Sequence, residues 1–448
     1  MKKLYVQTYG CQMNQYDSEK IVQVLARNNY VQTDRIDSAD VILLNTCSVR
    51  DKAEQKVYSA LGSWKEFKNY RDDVIIGVGG CVAQQEGEKL LKRIPHLDLV
   101  FGTHNIHKLP EMIAQVENAR ARPVQTAFYR DPAYMDDGEL RTHVDGVKAF
   151  VTIMQGCNKV CSFCIVPHVR GREVSRPSGK ILAEISSLAA HGVKEVMLLG
   201  QNVNSYGKLT PGELSFAELL ARVDAIDGLR RIRFTTSHPQ DLSPELTEDF
   251  ATLSNLCEHL HLPVQSGSDA VLTRMRRGYT KDEYLDRLYR LQKRCPKVAL
   301  STDIIVGFPG ETDAEFEQTL ELLRHVEYDD IYSFIYSPRP QTVSAKIYND
   351  DVPDDVKKER LKTVQALQRE ISLAKNRQRI GDFEEVLVEG QSKLKAEQVM
   401  GRTRGNRIVN FSGSSRLIGE FVQVHITGAT ANSLLGEWMC ANAAIESQ

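Results

Sequence analysis

Short apolar runs alternate with helical patterns in the N-terminal part of the chain. The apolar runs cover residues 4–9, 41–44 and 74–78, and helical patterns lie between them near residues 17–28 and 51–64. This alternation is typical of an open parallel α/β sheet. We therefore predict an N-terminal α/β domain over residues 1–120, followed by a linker over residues 121–146.

The alternation resumes on a larger scale after the linker. Six strand candidates lie at 149–154, 195–199, 232–235, 259–262, 298–305 and 331–336. Helical patterns separate them, for example at 179–190, 216–225 and 314–326, and a long charged helix is predicted over 354–378. Six such units predict a partial (βα)6 barrel of the TIM type over residues 147–380.

The pattern changes again near residue 383. Short strand-like runs at 385–388, 408–411 and 421–427 are separated by glycines and small polar residues, which predicts a small β-barrel over residues 381–446. Arg402, Arg404 and Arg407 lie on a hairpin of this barrel, close to Phe411. Arginines can bind phosphates and a ring can stack on a base, so these four residues are predicted to contact single-stranded RNA. The alternative is a solvated turn beside a core phenylalanine.

Composition narrows the class of protein only a little. The net charge is −2, so any nucleic-acid contact requires local basic patches. The first residues are too polar for a signal peptide, and no apolar run approaches the length of a membrane span. Nine cysteines without an export signal indicate a reducing cytoplasm, where thiols bind metals or react.

Three cysteines follow the first strand of the predicted (βα)6 barrel. Cys157, Cys161 and Cys164 have the spacing C-x3-C-x2-C. Three thiolates can hold three irons of a 4Fe-4S cluster, which leaves the fourth iron open to an exogenous ligand. The alternative is a zinc site with His168 as the fourth ligand. Zinc sites usually have paired C-x2-C spacings, and only Cys161 and Cys164 have one, so the cluster is favoured.

Three further cysteines each follow one apolar run of the N-terminal domain. Cys11, Cys47 and Cys81 are spaced by about one βα unit each. Loops at the carboxyl ends of parallel strands line one edge of a sheet, so these thiols are predicted to meet there. A second triply ligated cluster is the preferred interpretation. The alternative is that each is a separate buried thiol beside a strand.

Polar loops follow the other strands of the predicted (βα)6 barrel. Gln201 and Ser266 lie on such loops, Asp303 lies inside a predicted buried strand, and Glu173 lies shortly after the cysteine loop. A cofactor across the barrel mouth would contact several of them. The alternatives are that the loops only make turns, and that Glu173 pairs with Arg170 or Arg172.

Several motifs together resemble the radical S-adenosylmethionine (SAM) methylthiotransferases. The motifs are Thr8-Tyr9-Gly10-Cys11-Gln12-Met13-Asn14, Asn45-Thr46-Cys47-Ser48-Val49-Arg50, Gly80-Cys81-Val82-Ala83-Gln84, and residues 156–164, 166–177 and 303–312. The family has an N-terminal three-cysteine domain, a radical SAM barrel and a C-terminal TRAM domain. The residues after Cys11 resemble the branch that modifies tRNA.

This resemblance implies two 4Fe-4S clusters and SAM as cofactors. Cys157, Cys161 and Cys164 would ligate the radical SAM cluster, and Cys11, Cys47 and Cys81 the auxiliary cluster. Phe163, Glu173, Gln201, Ser266 and Asp303 are expected to contact cofactor. The substrate would be N6-isopentenyladenosine beside the anticodon of a tRNA. A deoxyadenosyl radical would take hydrogen from its C2, and sulfur from or through the auxiliary cluster would add there, as a methylthio group.

The resemblance also implies partners. These are the tRNA anticodon stem-loop, an electron donor such as flavodoxin or ferredoxin, and a sulfur donor or cluster-assembly proteins, with no membrane and a cytoplasmic location. The alternative substrates are threonylcarbamoyl-adenosine in tRNA and an aspartate of a ribosomal protein. The alternative class is a zinc-bearing RNA-binding protein without catalysis.

Overall fold

The structure is a computed structural model that describes residues 1–48, 51–135, 141, 146–392, 395 and 397–439. The predicted linker therefore lies partly outside the described residues. The N-terminal strands are β1 (Lys2–Tyr9), β2 (Tyr30–Gln32), β3 (Val41–Thr46), β4 (Ile75–Gly80), β5 (Leu99–Phe101) and β6 (Val124–Gln125). The helices are α1 (Gln12–Ala26), α2 (Asp51–Tyr70), α3 (Cys81–Glu86), α4 (Glu88–Arg93) and α5 (Leu109–Ala119).

These strands form one parallel sheet in the order β2-β1-β3-β4-β5-β6. Strand β3 is buried on both faces, which is why its sequence is a continuous apolar run. Ile42 and Leu44 pack in the same core as Trp64 of α2, whereas Leu43 packs with Leu25 of α1 on the other face. The predicted parallel α/β sheet is confirmed, with the short strands β2, β5 and β6 added to it.

The second domain contains the strands β7 (Lys148–Thr152), β8 (Met154–Gln155), β9 (Val174–Ser175), β10 (Glu195–Leu199), β11 (Arg231–Thr235), β12 (His259–His261), β13 (Ala299–Val306) and β14 (Asp330–Ile335). Its helices are α6 (Val166–Val169), α7 (Ser178–Ala190), α8 (Phe216–Asp224), α9 (Pro244–Thr252), α10 (Asp269–Arg274), α11 (Lys281–Arg294), α12 (Asp313–Val326), α13 (Val343–Ile347) and α14 (Asp354–Arg377).

Six of these strands form the predicted partial barrel. The parallel groups are β7-β10-β11 and β12-β13-β14, and a bridge between Ile232 and Leu256 connects β11 to the segment that leads into β12. The predicted first strand, 149–154, is split in the structure. Residues Met154 and Gln155 leave the barrel sheet, because they pair with β9 in an antiparallel ribbon.

The third domain is a closed barrel of the strands β15 (Phe383–Gln391), β16 (Gln398–Thr403), β17 (Ile408–Ser412), β18 (Phe421–Ala429) and β19 (Leu434–Trp438). Its order is β15-β16-β17-β19-β18, and every pair except β17 with β19 is antiparallel. The small β-barrel predicted from the sequence is confirmed. None of the described helices is long and apolar enough to cross a bilayer.

The turn between β16 and β17 packs against the amino-terminal ends of the barrel strands. Arg233 of β11, only 2% exposed, donates from Nη1 to the carbonyl of Arg404 at 2.8 Å and from Nη2 to that of Thr403 at 2.7 Å. Its Nε lies 3.1 Å from the carboxylate of Glu195. The third domain therefore covers the end of the (βα)6 barrel opposite to the carboxyl ends of its strands.

Replacing Arg233 by methionine should destabilise this contact strongly. The variant removes two hydrogen bonds to carbonyls, of which only the Thr403 carbonyl keeps another donor, the amide of Asn406. It also leaves the buried Glu195 carboxylate without its nearest cation, and removing one partner of a buried ion pair typically costs about 3–5 kcal/mol. Arg230→Met is the matched control, since Arg230 is 56% exposed and pairs with Glu385 at 3.5 Å, a pair worth at most about 1 kcal/mol. Urea unfolding should show a much lower midpoint for Arg233→Met. Equal unfolding midpoints for the two variants would contradict the role assigned to Arg233 at the contact between the third domain and the (βα)6 barrel.

Candidate active site

The cysteines of the N-terminal domain lie at the ends of three neighbouring strands. Tyr9 of β1 is level with Thr46 of β3, and Thr46 is level with Gly80 of β4. Cys47 comes directly after Thr46, and Cys81 comes directly after Gly80. Cys11 comes two residues after Tyr9. The parallel register therefore brings the three thiols to one edge of the sheet, as expected for the carboxyl ends of parallel strands.

The three thiols also interact with one another and with Arg170. A hydrogen bond with the Cys47 thiol lowers the pKa of Cys11 to about 6, and the charge of Arg170 acts in the same direction. Burial raises the pKa of Cys81, and the charge of Arg170 opposes that rise. Asn14 of α1 accepts a hydrogen bond from the Cys11 thiol at 3.4 Å and donates to the carbonyl of Thr46 at 3.0 Å. The group is thus a connected cluster of thiols.

The cysteine loop of the barrel is fixed at Cys157 and again between Cys161 and Cys164. Cys157 donates its amide to the carbonyl of Gly171 at 3.2 Å. Ser162 donates its amide to the carbonyl of Met275 at 2.9 Å and its hydroxyl to that of Arg274 at 2.8 Å. Gly156, which opens the loop, has a φ of +79°. The loop conformation is therefore set by hydrogen bonds to backbone carbonyls from its first cysteine and from the residue after its second cysteine.

The thiols of this loop are close enough to influence each other. Burial raises the pKa of Cys157 to about 11 and that of Cys164 to about 12, and the Cys161 thiolate adds to both shifts. Arg277 donates from Nη1 to the Cys161 sulfur at 3.2 Å. Without a bound cation, Cys157 and Cys164 would be protonated at neutral pH, so metal binding there must release protons.

The N-terminal domain contacts the segment that directly follows the barrel cysteine loop. Cys81 packs with Ile165 and Val169, which immediately follow the barrel cysteine loop. Thr103 donates to the carbonyl of Val169 at 2.8 Å, and a ring nitrogen of His104 lies 2.9 Å from the carbonyl of Arg170. The edge of the N-terminal sheet therefore faces the carboxyl ends of the barrel strands, with both groups of thiols at this boundary.

Each group supplies three thiols, the ligand type of iron–sulfur clusters. A buried arginine beside each group suits a bound group that carries negative charge. Among the described residues, no three His, Cys, Asp or Glu side chains close around a single metal ion. His168 is exposed on α6. The zinc alternative therefore gains no support from the geometry.

Two of the other expected cofactor residues lie beside the cysteine loop. Gln201 accepts the amide of Gly156 through its Oε1 at 2.5 Å. Glu173 donates its amide to the Oδ1 of Asn158 at 3.2 Å, and its Oε1 is buried without a hydrogen-bond partner among the described residues. Burial raises the pKa of Glu173, which a hydrogen bond from Ser205 partly opposes. The pairing of Glu173 with Arg170 is not found, because Arg170 binds Asp17 instead at 2.6 Å.

The remaining three residues expected to contact a cofactor differ in how far their side chains are exposed. Asp303 is partly exposed and lies 3.5 Å from the ring of His261, so its carboxylate faces the barrel interior. Phe163 packs on the apolar cluster around Phe308. Ser266 is 0% exposed, and its hydroxyl lies 3.3 Å from that of Thr319 and accepts the amide of Ser268. The Ser266 hydroxyl is thus engaged inside a turn, and its contact with a cofactor stays a prediction.

The residues predicted to contact RNA lie in the core of the C-terminal β-barrel or on its hairpin against the base of the (βα)6 barrel. Phe411 is 0% exposed, so no base can stack on it. Arg404 binds Glu258 at 2.8 Å, Arg407 binds Asp329, and Arg402 binds the carbonyl of Asn406 at 3.0 Å. Burial argues against stacking of a base on Phe411, whereas the three arginines keep part of their surface exposed, and RNA contact by them stays a prediction. The hairpin is basic because it packs against carboxylates and carbonyls of the barrel.

Sequence reasoning missed the two arginines beside the thiols. Arg277 lies in the run Arg276-Arg277-Gly278, and Arg170 lies between the cysteine loop and Glu173. Both are buried. Both arginines lie within or next to the motifs that carry the candidate site, and that position is the signal that could have found them. Arginine side chains are mostly exposed in proteins, so the residue type alone does not indicate a buried position beside the thiols.

Three family models match the chain in consecutive segments. They are the Uncharacterized protein family UPF0004 over residues 3–102, the Radical SAM superfamily over residues 151–323 and the TRAM domain over residues 377–439. Among solved structures, TsrM from Kitasatospora setae, a radical SAM methyltransferase with cobalamin and a 4Fe-4S cluster bound, has a TM-score of 0.58 at 15% identity. The match covers 77% of each chain, and at this identity it shows the fold alone.

Curated relatives are much closer in sequence. A "tRNA-2-methylthio-N(6)-dimethylallyladenosine synthase" from Geobacter metallireducens (strain ATCC 53774 / DSM 7210 / GS-15) is 55% identical over 97% of this chain and 98% of that protein. The protein of the same name from Syntrophotalea carbinolica (strain DSM 2380 / NBRC 103641 / GraBd1) is 51% identical over 98% of this chain and 100% of its own length.

The open six-stranded barrel and the superfamily match define the class of this chain as a radical SAM enzyme, which uses a 4Fe-4S cluster and SAM. Within that class, the chain belongs to the family of tRNA-2-methylthio-N(6)-dimethylallyladenosine synthases.

Replacing Gly156 by alanine should displace the cysteine loop. An added Cβ would lie 2.1 Å from the carbonyl oxygen of Arg172, and the positive φ is itself unfavourable for alanine. We expect a loss of stability of about 2 kcal/mol or more. The matched control is Gly179→Ala in α7, where nothing lies within 4 Å of the added carbon. Urea unfolding of the metal-free proteins should separate the two, and a neutral Gly156→Ala would refute the loop geometry.

Proposed function

We propose that the chain transfers a methylthio group to C2 of N6-isopentenyladenosine beside the anticodon of tRNA. The observation that carries the proposal is the convergence of two cysteine triples at one boundary between domains. The names of relatives that are about half identical over nearly the whole chain support the choice of substrate. No observation on the described residues favours the alternative substrates.

Six cysteines would hold two clusters in this proposal. Cys157, Cys161 and Cys164 ligate the cluster that binds SAM, and Cys11, Cys47 and Cys81 ligate the auxiliary one. Three ligands each leave one iron open to an exogenous ligand. Glu173 and Gln201 at the cysteine loop and Asp303 in the barrel interior are the polar residues we propose for contact with SAM. Phe163 supports the loop from its apolar side.

The chemistry requires a radical because an aromatic C2–H is not acidic enough for base catalysis. The bound cofactors supply that radical and the sulfur atom. The residues of the chain hold the two groups of thiols at fixed positions on the two sides of the domain boundary. An adenine that is splayed out of the single-stranded anticodon loop can enter between them.

The proposal includes further partners. The reductant is a carrier such as flavodoxin or ferredoxin, and a sulfur donor or cluster-assembly protein maintains the auxiliary cluster. The substrate is the anticodon stem-loop, and the TRAM domain is the module we assign to RNA. A tRNA substrate and soluble reductants imply a cytoplasmic location.

Removal of the protein from its host should abolish one modified nucleoside. In tRNA digested from such cells, 2-methylthio-N6-isopentenyladenosine should be absent and N6-isopentenyladenosine should accumulate, as measured by liquid chromatography with mass spectrometry. Methylthiolated threonylcarbamoyl-adenosine is the internal control and should be unchanged. Loss of that control nucleoside instead would assign the chain to a different substrate.

Substituting each cysteine triple with alanine should separate two activities. After anaerobic reconstitution the unsubstituted protein should bind about eight irons per chain and each triple variant about four. The variant of Cys157, Cys161 and Cys164 should not cleave SAM. The variant of Cys11, Cys47 and Cys81 should still cleave SAM but form no methylthiolated tRNA, and full product formation by this variant would exclude the assigned sulfur role.

A further inference from the structure

Arg170 is a barrel residue that reaches into the N-terminal domain. It follows α6 and is 3% exposed. Its backbone is fixed from the opposite domain, because His104 contacts its carbonyl at 2.9 Å and Thr103 donates to the preceding carbonyl at 2.8 Å. The position of this arginine is therefore defined by both domains together.

Only part of the guanidinium group is satisfied. Its Nη2 donates to the Oδ2 of Asp17 at 2.6 Å. Its Nη1 is buried and makes no hydrogen bond within the described part of the chain. A buried donor without an acceptor is unfavourable, and in native proteins it often marks a ligand site. Negative charge on Asp17, Cys81 and Cys11 favours the protonated form of Arg170. Because this effect requires proximity, the guanidinium lies beside the N-terminal thiols.

A second buried arginine at the same boundary shows what a purely structural role looks like. Arg141 binds Glu19 from Nη2 at 2.6 Å. Its Nη1 binds the carbonyl of Phe150 at 2.7 Å and Glu184 at 3.2 Å. Both terminal nitrogens of Arg141 are thus engaged by protein atoms. Arg170 differs because its Nη1 has no hydrogen-bond acceptor among the described residues, although its guanidinium also interacts with the Cys81 thiol.

The ligand that would satisfy this nitrogen must be an acceptor and is best negatively charged. An open iron held by Cys11, Cys47 and Cys81 would present such a ligand at this place. We propose that Arg170 is a positioning residue that donates a hydrogen bond from Nη1 to an anionic sulfur ligand, a hydrosulfide or a small alkanethiolate, at the auxiliary iron site. The inference rests on the proposed function. Asp17 holds the planar guanidinium in one orientation, which a lysine would not reproduce.

The test uses the full chain with Cys157, Cys161 and Cys164 replaced by alanine, so that only the auxiliary site binds iron. This parent protein is reconstituted anaerobically and titrated with sodium sulfide and, separately, with methanethiol. Electron paramagnetic resonance of the reduced cluster reports binding of either ligand. Iron content and the unfolding midpoint are measured in parallel, so that ligand affinity is separated from loss of the cluster.

Arg170→Gln should retain about four irons per chain and weaken binding of both sulfur ligands by about tenfold or more, the usual effect of losing a charge-assisted hydrogen bond. Arg170→Lys should also weaken binding, since it keeps the charge without the fixed orientation. Arg141→Gln is the matched control, which should lower the unfolding midpoint and leave both affinities unchanged.

Unchanged affinities in Arg170→Gln, or equal losses in Arg141→Gln, would overturn the inference. It would equally be overturned if both Arg170 variants lost their iron while Arg141→Gln kept it, because Arg170 would then serve the cluster itself. A parent protein that binds no iron would refute the proposed function, and with it this inference. That outcome differs from failure of the inference alone, in which the parent protein binds iron but the Arg170 variants keep its ligand affinities.

Discussion

The contact between α6 and the edge of the N-terminal sheet is the constraint on which the site depends. The helix follows the barrel cysteine loop almost directly, and Val169 packs against Cys81, the first residue of α3. Backbone carbonyls of Val169 and Arg170 are bound by Thr103 and His104 of the other domain. Neither cysteine group could change its position relative to the other without breaking these contacts.

Charge is buried on both sides of this contact. Arg170 binds Asp17 across the domain boundary, and Arg141 of the linker binds Glu19 of α1. Buried ion pairs contribute little net stability, since desolvation offsets their attraction, but breaking one partner is costly. Such pairs therefore favour one docked arrangement over shifted ones. A reaction between groups held by two domains needs that kind of fixed geometry.

The opposite end of the barrel is closed by a different set of polar contacts. Arg231 and Arg233 are fully or almost fully buried and donate to carbonyls of the hairpin that precedes β17. Helix α14 completes the connection with a buried stripe that includes Lys357, Arg360 and Gln368. The apolar Val364 of the same helix is buried in the barrel core, and Leu361 and Leu367 pack against it. The buried polar side chains are tolerated because Asp350, Glu311 and the carbonyl of Tyr328 provide partners there.

The sequence by itself determined the three-part architecture and the two groups of cysteines. Strand and helix periodicity depend on neighbouring residues, and the convergence of Cys11, Cys47 and Cys81 follows from parallel strand direction alone. Only the tertiary structure decided which polar residues meet. Arg404 and Arg407 turned inward to carboxylates of the barrel, and Arg170 joined Asp17 across the domain boundary. A charged side chain looks the same in sequence whether it faces water or a buried partner, because its partner lies far away along the chain.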